Sequence, residues 1–166
     1  MKLPDPALLC EQLAELIRPA LGPNTALIGI HSGGVWVAEY LHEALGISTP
    51  LGRLDAAFYR DDYASRGLHV KPRKTEIPFD IGGRHLILVD DVLYTGRTTR
   101  AALNEIFDYG RPASIDLAVL VDRGGRELPI SARFCAHRLS EVLPKTSRLS
   151  LCRDALGQLS LELENA

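Results

Sequence analysis

The chain contains no GxxxxGK(S/T) segment and no GxGxxG after a strand-like run, so two widespread phosphate-binding fingerprints are absent. Its three cysteines, Cys10, Cys135 and Cys152, are odd in number, far apart and without a CxxC pair. That excludes a disulfide framework and predicts reduced thiols in or near the core. No apolar run approaches the roughly 20 residues of a membrane span, and Met1-Lys-Leu-Pro-Asp-Pro6 lacks the apolar centre of a signal peptide. The expectation is a cytoplasmic protein with no membrane partner. Positive charge is not in excess either. Nineteen Lys and Arg face 21 Asp and Glu, a formal charge of −2, so any nucleic-acid contact has to be a local patch. Repeats, low-complexity tracts and linkers are also missing. With 46% hydrophobic and 24% charged residues, the 166-residue chain reads as one globular domain, 1–166.

What is present centres on His85-Leu-Ile-Leu-Val-Asp-Asp-Val-Leu-Tyr-Thr-Gly-Arg-Thr98. Leu86 to Val89 is a short apolar run suited to a strand buried on both faces, as in a parallel sheet. Asp90 and Asp91 stand where that strand is expected to end. Thr95-Gly96-Arg97-Thr98-Thr99 then leads into Ala101 to Phe107, whose apolar spacing predicts a helix stopped by Gly110 and Pro112. A helix start offers unpaired N–H groups and a positive dipole end to a phosphate, and Gly96 allows close backbone approach. Thr95, Thr98 and Thr99 add hydroxyls. Ionised Asp90 and Asp91 only accept hydrogen bonds, which matches the 2′- and 3′-hydroxyls of a ribose. A sugar and a hydrated Mg²⁺ between acids and phosphate relieve their mutual repulsion. The implied ligand is a ribose 5-phosphate derivative, with the metal held through water near Asp90 and Asp91.

Elsewhere the pattern alternates strand and helix. Pro4 to Arg18 predicts a helix, Ala26 to His31 a strand, and Val35 to Leu45 a second helix after Ser32-Gly33-Gly34, a second anion-site candidate. Arg53 to Tyr59 predicts a strand, and a hairpin or flap follows at about 60–80. There Lys71, Arg73 and Lys74 form the densest basic cluster, open to pyrophosphate, to RNA phosphates or to solvent alone. Ser114 to Val121 predicts another strand, ending in Asp122-Arg-Gly-Gly-Arg-Glu127. Arg148 to Cys152 and Leu159 to Leu163 predict a final hairpin at a sheet edge. Strand–helix alternation with ligand motifs at strand ends describes an α/β protein with its site at the carboxyl edge of an open sheet.

Val89 to Thr98 resembles the phosphoribosyl pyrophosphate (PRPP) motif of type I phosphoribosyltransferases. Leu117-Ala-Val-Leu-Val-Asp-Arg-Gly-Gly-Arg-Glu-Leu-Pro-Ile130 and Phe58-Tyr-Arg-Asp-Asp62 are similar to blocks in the branch that acts on uracil and also binds RNA. The resemblance runs from about Gly29 to Ala132. It implies a Rossmann-like fold, a mostly parallel central sheet flanked by helices, with a flexible hood or flap over the site. It also implies PRPP and uracil as substrates, Mg²⁺ as cofactor, UMP or UTP as regulatory ligand and pyrimidine-operon leader RNA as partner, in a homodimer or higher oligomer. Asp90, Asp91 and Arg60 are the implied catalytic residues. Val92, Leu93, Tyr94, Thr95, Gly96, Arg97 and Thr98, with both acids, form the PRPP loop. His31, Ser32 and Gly33 form the pyrophosphate loop, and Val121, Asp122, Phe134 and Cys135 line the base pocket.

Two departures stand out. Ser32-Gly33-Gly34 replaces the family's usual Thr-Arg-Gly, removing the arginine that faces the leaving pyrophosphate. Cys135-Ala-His137 stands where relatives carry valine, glycine and lysine. The position before Thr95-Gly96 is Tyr94, where purine enzymes of the family carry an aspartate that serves the base. A phenol with pKa near 10 is a poor base at neutral pH, which disfavours a purine. Orotate would need a cation for its carboxylate, and Arg123 is the candidate. The alternatives are a nucleotide-sensing, RNA-binding regulator with little catalysis and a purine phosphoribosyltransferase.

Overall fold

The computed structural model describes residues 1–56 and 74–165. Helix α1 (Pro6–Ile17) is followed by a short 3₁₀ turn, strand β1 (Thr25–Ile30), helix α2 (Gly33–Ala44) and strand β2 (Gly52–Leu54). Strand β3 (His85–Leu93), helix α3 (Arg97–Tyr109) and strands β4 (Ser114–Asp122) and β5 (Phe134–Arg138) come next, then β6 (Ser147–Arg153) and β7 (Leu159–Asn165). The first five strands form one sheet in the order β2-β1-β3-β4-β5, every neighbouring pair parallel.

The two faces of this sheet are distinguished by alternation along the strands. Leu27, Ile87 and Val89 point into one core with α1 and α2, whereas Ala26, Ile28, Ile30, Leu86 and Leu88 point into the other with α3. All six residues of β1 are buried, as a central strand covered on both faces requires. Gly29 makes the α2 contact: a Cβ there would lie 2.8 Å from the Val35 Cα. Helix α1 buries Leu9, Leu13 and Ile17 and leaves Leu8 and Leu16 exposed.

Connections leave the sheet in opposite directions from β1 and β3. After β1 the chain crosses through α2 to β2 on one side; after β3 it crosses through α3 to β4 on the other. The carboxyl ends of β1 and β3 therefore flank a topological switch point, where diverging loops open a crevice.

Several sequence expectations shift. Strand β3 does not end at the acids but runs on through both to Leu93, paired with β4 as far as Asp122. Helix α3 begins at Arg97 rather than Ala101, and its expected apolar residue Phe107 is exposed, the buried stripe being Thr99, Ala101, Ala102 and Ile106. Strand β5 is additional to the expected strands: Phe134 to Arg138 is only five residues long and ends in the exposed Arg138. The last hairpin forms its own antiparallel pair, not an edge of the main sheet, with Leu149 and Leu151 buried in the α1–α2 core. Of the expected strand from Arg53 to Tyr59, β2 contains Arg53 and Leu54, and Asp55 and Ala56 follow outside any strand. Phe58, Tyr59, Arg60, Lys71 and Arg73 lie outside the described residues. Of the expected flap, the stretch from 74 is anchored: Arg53 and Glu76 exchange two backbone hydrogen bonds of 2.7 Å, and Ile77 and Phe79 pack on the α3 core.

Candidate active site

The switch point brings the Ser32-Gly33-Gly34 turn against the two acids, and the Gly96 turn follows the end of the strand that carries them. Gly34 lies so close to β3 that a Cβ would sit 2.5 Å from the Val89 carbonyl oxygen and 3.0 Å from the Asp90 Cα. A Cβ on Gly33 would collide with the Asp91 carboxylate. The glycines of the Ser32-Gly33-Gly34 turn are thus what allow this loop and the acidic end of β3 to share one crevice. His31, half-buried, donates its backbone N–H to the Leu54 carbonyl at 2.9 Å, tying the loop to β2. Ser32 caps α2 through its carbonyl, which accepts from Val35 and Trp36 at 3.1 and 3.3 Å, and its hydroxyl makes no capping bond.

The acids differ in exposure. Asp90 is 7% exposed and its Oδ1 accepts the Asp91 N–H at 2.9 Å. Asp91 is half-buried, with Oδ1 accepting the Val92 N–H at 2.8 Å and Oδ2 the Leu151 N–H of the hairpin at 3.4 Å. Next along the chain, Leu93 is buried in the α3 core and Val92 packs on the other, so those side chains belong to the interior. Gly96 opens α3 with φ of 93° in the left-handed region, where a side chain is strained. A Cβ there would also press on Ile130 at 3.0 Å. The N-cap Gly96 has no side chain to offer the first turn of α3, whose dipole has its positive end at the Thr95–Thr98 turn. Thr95 Oγ1 accepts the Arg97 N–H at 3.2 Å, and Arg97 pairs with Glu127 at 3.6 Å. Thr98 is half-buried. Thr99, expected among the hydroxyls of the loop, is instead buried in the helix interior.

On the far side of β3 the four expected base-pocket residues separate. Asp122 ends β4 at the carboxyl edge, paired with Arg138 of β5. Val121 is fully buried in the α1–α2 core. Phe134 and Cys135 pair with Ala118 and Val119, below the edge, and pack into the cores. Burial raises the Cys135 thiol above its ordinary value. Two arginines reach Asp122: Arg126 of the charged turn Asp122 to Glu127, which the sequence pattern marks, and Arg138 of β5, which it does not. Arg126 Nη2 donates to both its carboxylate oxygens at 2.7 and 2.9 Å, and Arg138 Nη1 to one at 3.2 Å. Arg123 is 4% exposed, stacks 3.9 Å from the Tyr94 ring centre, and donates to the Ser147 and Pro144 carbonyls at 2.8 and 3.1 Å.

Among the described residues no group of three or more His, Cys, Asp or Glu side chains could hold a metal, and no helix is long and apolar enough to cross a membrane. The donor set nevertheless suits Mg²⁺ of a particular kind. Two adjacent carboxylates beside a phosphate loop match an ion that keeps its waters and is brought largely by substrate phosphates.

A parallel sheet with paired acids and an open helix start at its switch point defines a class, and comparison of sequences identifies it. The chain belongs to the phosphoribosyl transferase family, whose domain profile matches residues 7–141. Within it, relatives of nearly full length are named Bifunctional protein PyrR. That of Pseudomonas fluorescens is 49% identical over 166 residues, covering 98% of each chain. That of Nitrosococcus oceani is 61% identical over 116 residues, covering 69% of this chain and 66% of its own. The fold is shared more widely. A hypoxanthine-guanine phosphoribosyltransferase of Bacillus anthracis superposes with a TM-score of 0.67 at 19% identity, covering 84% of each chain. The expected type I phosphoribosyltransferase architecture is therefore present, and the protein is a phosphoribosyltransferase.

Proposed function

We propose that the protein transfers ribose 5-phosphate from PRPP to uracil, yielding UMP and pyrophosphate. The observation that carries this is the packing of Gly33 and Gly34 against Asp90 and Asp91, with the Gly96 helix start three residues beyond the end of β3. One turn suits a 5′-phosphate, the other a pyrophosphate, and the acids between them a ribose.

In this reading the α3 start and Thr95 to Thr98 hold the 5′-phosphate, and Asp90 and Asp91 accept hydrogen bonds from the ribose hydroxyls. Asp90 and Asp91 would also hold a hydrated Mg²⁺, which would supply charge neutralisation for the pyrophosphate. The bond from the anomeric carbon to pyrophosphate breaks as the bond to uracil N1 forms; the N1 proton is released and positive charge builds on the sugar. Catalysis is mostly positioning and stabilisation of the leaving anion. The backbone of His31 to Gly34 serves that anion without the arginine usual in the family, so turnover is expected to be modest. Losing one preorganised donor to a developing anion costs roughly 10²–10³ in rate.

Two observations favour uracil over other bases. Tyr94 brings no carboxylate to a purine. Arg123, the candidate cation for orotate, already spends its guanidinium on two hairpin carbonyls and the Tyr94 ring. The relatives' shared name states two functions, and we take the second to be binding of pyrimidine-operon leader RNA governed by UMP or UTP at the same site. The three free thiols fit a cytoplasmic setting.

The deciding experiment is a radiolabel assay with PRPP, Mg²⁺ and uracil, hypoxanthine or orotate in parallel, alongside calorimetric titration with UMP. Turnover with uracil alone supports the proposal. Preference for hypoxanthine or orotate refutes it. UMP binding without turnover of any base leaves the regulator with little catalysis, a reading that the missing loop arginine favours.

A further inference from the structure

Tyr94 is held from several directions by the loop that follows β4. The Arg123 guanidinium covers its ring at 3.9 Å. A Cβ on Gly125 would lie 2.5 Å from ring atom Cε2, so the ring edge rests on bare backbone there. Arg126 Nη1 donates to the Tyr94 carbonyl at 2.7 Å. The same guanidinium donates through Nε to the Ile130 carbonyl at 2.8 Å and through Nη2 to the Asp122 carboxylate at 2.7 and 2.9 Å. One planar fork therefore locks three stretches together: the end of β3, the end of β4 and the turn before β5. Lysine, a single flexible point charge, cannot reproduce that fork.

The phosphate turn has anchors of its own besides this fork. Glu127 and Leu128 donate their own N–H groups to the Thr95 carbonyl at 2.9 and 3.1 Å. What Arg126 fixes is the pair of groups at adjacent strand ends, Tyr94 and Asp122, on the side of the sugar acids away from the pyrophosphate loop. A base bonded to the anomeric carbon has to lie on that side.

We propose that Arg126 is a positioning residue for the nucleobase: by clamping Tyr94 and Asp122 into one unit, it sets the wall against which the base is selected. This rests on the assignment of phosphoribosyl transfer to uracil. The clamp acts on the base and not on the phosphate, so KM for uracil and KM for PRPP should separate.

The test uses Arg126→Lys and Arg126→Gln in the full chain. Expected are a rise in KM for uracil of about tenfold or more, a KM for PRPP within about twofold, and unchanged calorimetric binding of ribose 5-phosphate. Lysine should fare little better than glutamine. Gly125→Ala provides a second route: its methyl meets the Tyr94 ring, and its φ of 77° adds a backbone strain that does not depend on the ring. It should also raise KM for uracil, and adding it to Tyr94→Val should cost less than adding it to the wild type, since the ring it displaces is gone. An unchanged uracil KM in all of these, or parallel losses in uracil, PRPP and ribose 5-phosphate binding, overturns the clamp. Should the Arg126 variants fail to fold, the Gly125 and Tyr94 pair decides alone. A wild type with no uracil turnover overturns the functional assignment, and the clamp with it.

Discussion

Asp90 and Asp91 are neighbours in sequence with different surroundings. Asp90 is buried beside Gly34, while Asp91 divides its oxygens between its own turn and the hairpin. If both accept ribose hydroxyls, replacing each by asparagine removes charge-assisted bonds of about 1.5–3 kcal/mol apiece, roughly one to two decades of PRPP affinity per residue. Calorimetry on the double variant should show that loss with little change in melting temperature; unchanged affinity would remove the acids from the site. Glu105 presents another kind of carboxylate. It is 9% exposed in α3, accepts the Thr75 hydroxyl at 2.6 Å, and its pKa is raised above 4.5, chiefly by burial and then by nearby Asp55 and Asp108. A raised acid favours folding while both states hold the proton, and that contribution fades as pH climbs from the unfolded value through the folded one. Glu105→Gln keeps the acceptor and loses the charge. It should therefore raise the melting temperature at pH 7 and leave it nearly unchanged near pH 3.5, as scanning calorimetry at both values would reveal.

At the scale of elements, the pyrophosphate-side turn and β3 show how two glycines in succession serve different ends. At Gly33 an added methyl meets the movable carboxylate of Asp91, and at Gly34 it meets the Val89 carbonyl and the Asp90 backbone. Gly33→Ala should thus weaken PRPP binding, by about tenfold or more, with little loss of stability, since a side chain can swing aside. Gly34→Ala should cost stability itself, about 1–3 kcal/mol in denaturant unfolding, because backbone has to move. Equal effects of the two variants would contradict this division. The same scale explains why the central motif was readable and β5 was not. Strand, acidic turn and helix start are contiguous and each carries its own signal in periodicity, glycine and hydroxyls. Phe134 to Arg138 is five residues long and mixes burial with charge, and only its pairing with β4 makes it a strand.

The molecule as a whole is a sheet with two separate interiors. Leu13 of α1 lies in one and Ile106 of α3 in the other, both fully buried. Truncating either to alanine should cost about 2–5 kcal/mol. The two losses should add to within roughly 0.5 kcal/mol, because the side chains share no partners across the sheet. Strong coupling in the double variant would mean that the sheet transmits strain between its faces. The proposed active site lies at the edge where both interiors end, so each half of the fold presents one of its loops there.

Much of this protein is determined by local sequence. The alternating elements, the acid pair, both glycine turns and the ribose-phosphate chemistry they suit all lie within short segments whose residues act on their immediate neighbours. What only the tertiary structure decided is which distant groups complete the site. Arg126 meets Tyr94 across 32 positions, Arg123 reaches Ser147 across 24, and the hairpin touches Asp91 across 60. No periodicity or spacing encodes such meetings. They arise because parallel strands carry their carboxyl ends to one edge, so that loops remote in sequence meet where packing of the two cores sets them.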